Sequence, residues 1–137
     1  PLQQGQSMAD IATEVLPSLV GADPDKRGVE LAHKCMSRVP SDAYVAAVQC
    51  LVEFEGRDHL PFIAVPTLVL AGEKDDNAPA SMMEKMAQKI PGAEFATMPN
   101  AGHLAPMGNP DEFNHAVLDF LARHAYKRNF NQASTVN

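Results

Sequence analysis

Two short segments carry residues whose types and order suit acid–base chemistry. In Gly72-Glu73-Lys74-Asp75-Asp76-Asn77-Ala78-Pro79 an aspartate follows an apolar run, and in Asn100-Ala101-Gly102-His103 a histidine follows a second one. A carboxylate that accepts a hydrogen bond from one imidazole nitrogen orients the ring and stabilises its protonated form, leaving the other nitrogen to serve as base. Asp75 and His103 lie 28 positions apart, room for one helix and one strand between two loops on the same edge of a sheet. They are the candidate catalytic residues, with Asp76 as the alternative acid, and their side chains are expected within hydrogen-bond reach. Taken singly each says less: a lone Asp after a strand is usually a turn or cap residue, and a lone loop histidine is usually structural.

The elements that must position this pair can be read from punctuation and periodicity. Pro66-Thr-Leu-Val-Leu-Ala, ended by Gly72, is the short β-branched run of a parallel strand buried on both faces. In open parallel sheets the carboxyl ends of strands are where functional side chains collect. A helix is expected from about Ala80 to Lys89, with Met82, Met83, Met86, Ala87 and Ile90 on one side, and a second strand from Ala93 to Met98. Strand, helix, strand is a parallel crossover. Gly102 is expected to let the backbone turn closely around the imidazole. A last helix follows Asn109 as cap, with Pro110 in its first turn, Glu112 completing a capping box, and Phe113, Val117, Phe120 and Leu121 inward.

Upstream, three helices are expected. Met8, Ile11, Ala12, Val15, Leu16 and Leu19 form one apolar face, stopped by Gly21 and Pro24. Asp25 to Val39 repeats the rhythm with Val29, Ala32, Cys35, Met36 and Val39. The third runs from about Asp42 to Phe54, capped by Ser41, with Tyr44, Val45, Val48, Leu51 and Val52 inward. After Tyr126, Lys127 to Asn137 has no apolar periodicity and reads as a frayed polar tail. The division is thus 1–62 helical, 63–126 strands with crossover helices, and 127–137 tail.

Val65-Pro66-Thr-Leu-Val-Leu-Ala-Gly72, then Asp75 and Pro79, Ala101-Gly102-His103 and Asn109-Pro110-Asp111-Glu112-Phe113 together resemble the last part of the α/β-hydrolase fold family. The likeness covers about residues 61–124, and the helices before it resemble that family's lid. Met8 to Gly21 and Tyr44 to Leu60 look most like the 3-oxoadipate enol-lactonase-like branch. The resemblance implies an α/β fold, the triad acid at Asp75, the triad base at His103, and hydrolysis of a small ester or lactone through an acyl-serine intermediate without metal or organic cofactor. It also implies a Gly-x-Ser-x-Gly nucleophile elbow before the lid. None is present: Ser7, Ser18, Ser37, Ser41, Ser81, Ser134, Cys35 and Cys50 all lack the flanking glycines. With the missing initiator Met, this points to an incomplete hydrolase, inactive alone, whose partner would be its missing N-terminal half or another copy of itself. A carbon–carbon bond hydrolase of the same fold is the alternative, with Leu104 against it where that branch tends to carry Trp. A non-catalytic remnant acting as an assembly or binding module is a third.

Composition narrows the remaining classes. At 137 residues and 45% hydrophobic, the chain can bury the core of one domain. A net charge of −6 with no dense Lys/Arg cluster gives no footprint for nucleic acid or anionic lipid. Apolar runs such as Val65 to Ala71 fall far short of a membrane span. No export signal precedes the first helix, so a cytoplasmic setting is expected. Cys35 and Cys50 have no metal-ligand spacing and are expected to be buried free thiols. His33, His59, His115 and His124 likewise form no metal pair; His33, His115 and His124 are expected on solvated helix faces and His59, in Arg57-Asp58-His59, at the cap of a short turn.

Overall fold

A computed structural model describes residues 5–132, with side chains described through residue 124. Helix α1, Met8–Leu19, begins at Ser7, whose hydroxyl accepts from the Asp10 N–H while the Asp10 carboxylate accepts from the Ser7 N–H, satisfying two amide groups at once. Helix α2, Lys26–Met36, is capped by Asp25, and helix α3, Ser41–Glu53, has Pro40 at the cap position with no side-chain cap bond. Ser41 is therefore the first helical residue and not the cap. A 3-10 segment, Arg57–Phe62, leads to strand β1, Leu68–Gly72. Helix α4, Ala80–Ala87, strand β2, Glu94–Met98, the short helix α5, Ala105–Gly108, and helix α6, Pro110–Gln132, complete the order.

Strands β1 and β2 pair in parallel, from Leu68 opposite Glu94 to Gly72 opposite Met98. Parallel neighbours need a crossover, and α4 supplies it, packing on both strands. Among the described residues the sheet has these two strands, so one edge of β1 is unpaired. Three apolar clusters hold the parts together. Ala12, Leu16 and Ala32 of α1 and α2 meet Leu104 and Met107; Val69, Ala87 and Ile90 meet Leu60, Ile63 and Met83; Met98, Ala101 and Ala105 meet Leu70 and Phe113. Full burial of one such Leu or Met side chain contributes about 1.5–3 kcal/mol. The first and third clusters flank His103 in sequence, so the helical section and the sheet both grip the histidine loop.

Several expected burial faces are open. Helix α3 has no buried residue, and Leu51 and Val52 are 75% and 82% exposed, because none of the described elements packs against that face. Leu121 of α6 is also mostly exposed, whereas Phe120 beside it is buried. Cys35 and Cys50 are free as expected but both exposed: Cys35 lies off the face that buries Ala32, and Cys50 rides on uncovered α3. Helix α6 continues to Gln132, past the end of the apolar pattern at Tyr126, since a helix already nucleated extends cheaply over Lys and Arg. That departs from the polar tail expected from Lys127; residues 133–137 lie outside the described residues.

Candidate active site

Strand β1 ends at Gly72, and the chain turns at once, the Asp75 N–H donating to Gly72 O at 3.2 Å. Asp75 is 8% exposed, the one charged residue among the buried ones described. Its Oδ1 accepts from the backbone N–H groups of Asn77 and Ala78, each at 2.9 Å, an Asx turn that locks the side chain. Its Oδ2 lies 2.9 Å from His103 Nδ1. Burial pushes this carboxyl up, but the Ala78 N–H, the His103 ring and the Asn77 N–H together outweigh it and hold Asp75 below its ordinary value of 3.8. An ionised carboxylate only accepts, so Nδ1 carries a proton, and in the neutral ring Nε2 is the nitrogen with the lone pair. The histidine side chain is 45% exposed, which leaves Nε2 open to a reacting group. Among the described residues no hydroxyl or thiol bonds to this ring, and no group of three or more His, Cys, Asp or Glu could hold a metal ion.

The two loops are fastened by backbone contacts. The Glu73 N–H donates to Met98 O at 3.0 Å and the Lys74 N–H to Ala101 O at 2.8 Å, extending the strand pairing into the loops. A Cβ at Gly72 would sit 2.4 Å from Gly102 O, so only glycine allows this approach. Gly102 meets a demand that its sequence context did not show: a Cβ there would sit 2.6 Å from Leu19 O at the end of α1 and 2.5 Å from Gly21 N. The Leu104 N–H donates to Leu19 O at 2.8 Å and the Ala22 N–H to Asn100 O at 3.1 Å, so the helical section buttresses the histidine loop.

Both sequence candidates, Asp75 and His103, are thus brought together, while Asp76 is exposed and plays no part in the pair. Sequence reasoning missed the Asn77 and Ala78 amides, although Asp-x-Asn before Pro79 is a turn signature that could have revealed them. It also missed Glu73, whose Oε2 accepts from the Asn100 N–H at 3.0 Å. Of the other histidines, His33 bonds to Thr13 at 3.0 Å, and His124 is half-buried between Glu94, at 3.0 Å, and the Phe120 ring.

The buried carboxylate has a consequence for stability. Because its folded pKa is depressed, Asp75 adds stability that is present above its unfolded value near 3.8 and is lost as pH falls through the lower folded value. Urea unfolding of the parent and Asp75→Asn, followed by circular dichroism from pH 6 down to about 2.5, should show a difference that shrinks below about pH 4. Asp10, Glu73 and Glu94 are also held low but are common to both proteins, so the difference isolates Asp75. A difference independent of pH would refute the assignment.

Residues 9–116 match the sequence profile of the alpha/beta hydrolase family. The chain belongs to that family. Among solved structures, a thermophilic esterase from Thermogutta terrifontis is 33% identical with a TM-score of 0.75, the match covering 83% of this chain and 44% of that one. The enol-lactonase from Burkholderia xenovorans LB400 is 26% identical with a TM-score of 0.77, covering 87% and 46%. That lactonase agrees with the branch resemblance drawn from the sequence. The 2-hydroxy-6-oxo-6-(2'-aminophenyl)hexa-2,4-dienoic acid hydrolase of Metapseudomonas resinovorans is 33% identical over 87 residues, 61% of this chain and 30% of that protein. The chain spans less than half the length of these alpha/beta hydrolase relatives. As for membranes, none of the described helices is long and apolar enough to cross one.

Proposed function

We propose that Asp75 and His103 are the acid and base of a Ser-His-Asp hydrolase acting on a small ester or lactone, with nucleophile and oxyanion donors supplied from outside these 137 residues. The observation that carries this reading is the 2.9 Å bond between a buried carboxylate and a half-exposed imidazole. In the proposed reaction His103 Nε2 takes the serine proton as the hydroxyl attacks the carbonyl, then returns it to the departing oxygen, while Asp75 stabilises the imidazolium. The esterase and enol-lactonase relatives support the substrate class, and exposed Val48 and Phe54 in the helices read as a lid support an apolar acyl portion. The open edge of β1 is where further strands, or a second copy, would pair. Free, exposed Cys35 and Cys50 support a reducing, cytoplasmic setting.

The same reading predicts that the purified chain, which has no Gly-x-Ser-x-Gly segment, turns over a short p-nitrophenyl ester no faster than buffer. A longer polypeptide that adds such an elbow upstream should hydrolyse it and be stopped by a serine-directed phosphonate. Phosphonate-sensitive turnover by the 137 residues alone would overturn the proposal. The dienoic acid hydrolase relative favours carbon–carbon bond cleavage as the second reading, which preference for a vinylogous diketone over the ester would establish.

A further inference from the structure

We infer that Glu73 is a positioning residue, a strap whose carboxylate holds the left-handed turn of the histidine loop against the acid loop and so fixes His103 on Asp75. The term positioning rests on the hydrolase reading above; the strap itself rests on geometry. Asn100 has φ +58°, the left-handed conformation that asparagine tolerates better than most L residues, and the turn it makes is held by neighbouring groups. Both sides of its peptide are held. Its N–H donates to Glu73 Oε2 at 3.0 Å, and its carbonyl accepts from Ala22 at 3.1 Å. Glu73 stands two residues before Asp75 and Asn100 three before His103, so this one bond joins the bases of the two catalytic loops.

The chemistry of the pair suits a strap. A carboxylate acceptor makes a charge-assisted bond to an amide, stronger than the neutral kind. The Asn100 amide and Lys74, whose Nζ lies 3.5 Å from Oε1, hold Glu73 below the ordinary range for a glutamate, so the charge is present at neutral pH. Apart from the Asp75–His103 bond itself, the other described ties between the loops run between main-chain groups, which leaves Glu73 as a side-chain tie that substitution can remove without touching Asp75 or His103.

The test uses NMR of the 137-residue chain and needs no turnover. In Glu73→Ala the Asn100 amide should exchange with solvent about tenfold faster, the value of one hydrogen bond, and the downfield His103 Nδ1 proton signal should weaken, with exchange in α1 and α4 unchanged. Glu73→Gln keeps an oxygen acceptor without the charge and should restore most of both signals. The inference is overturned by an unchanged Asn100 amide and His103 proton in the alanine variant, by faster exchange spread evenly over the chain, or by a glutamine variant no better than alanine. Failure of the hydrolase reading would appear elsewhere, as an extended polypeptide indifferent to loss of His103, with these signals intact.

Discussion

In a polypeptide that joins these residues to a nucleophile elbow, Asp75→Asn is expected to lower kcat about 10,000-fold, a large loss but smaller than that from His103→Ala, which removes the base itself. The reason lies in how Asp75 is held. Its Oδ1 is committed to the Asn77 and Ala78 amides, each at 2.9 Å, and an asparagine would keep its carbonyl oxygen there. The amide nitrogen would then face His103 Nδ1 as a donor. The ring must answer by accepting at Nδ1 and carrying its proton on Nε2, the tautomer that cannot take a proton from a serine. The packing changes little, so the substitution reports on chemistry and not on loss of the fold. Asp76→Asn, at an exposed position outside the pair, should change kcat by no more than about twofold. Steady-state rates of the three variants with a p-nitrophenyl ester, beside the His103 Nδ1 proton signal, check the assignment. Equal losses at Asp75 and Asp76, or a normal rate in Asp75→Asn, would remove Asp75 from the acid role.

What could be read from the sequence divides along a physical line. Asp75 and His103 were legible because their types, their places after apolar β-branched runs and the interval between them all follow from chain-local rules. The strands at Leu68–Gly72 and Glu94–Met98 and the helix after Ser7 were legible for the same reason. Periodicity, however, states that a helix has an apolar face and is silent on what covers it. Leu51, Val52 and Leu121 belong to such faces and stand exposed among the described residues. Helix α5 is four residues long, too short to show a period. The Glu73–Asn100 bond depends on the direction of one peptide group in a left-handed turn, and no spacing rule encodes that direction.

The contact between that loop and the α1–α2 connection gives a large expected effect on stability, in Gly21→Ala. Gly21 follows α1 at φ +84°, where an L residue costs about 1–2 kcal/mol relative to glycine. An added Cβ would also lie 2.4 Å from Asn100 O and 2.5 Å from Gly102 N. Those atoms are backbone, and they belong to the segment that carries His103, so relief must come from moving that loop or the end of α1. Overpacking of this kind costs about 1–3 kcal/mol, and the two effects together give about 3 kcal/mol. Gly92 separates them, because it has φ +70° but nothing within 4 Å of an added Cβ. Gly92→Ala should therefore cost about 1 kcal/mol, the conformational part alone. Urea midpoints of the two variants measure the costs, and the His103 Nδ1 proton signal shows where the displacement goes: lost in Gly21→Ala, kept in Gly92→Ala. If the two variants are equally stable and both keep the signal, the α1–α2 connection does not buttress the histidine loop.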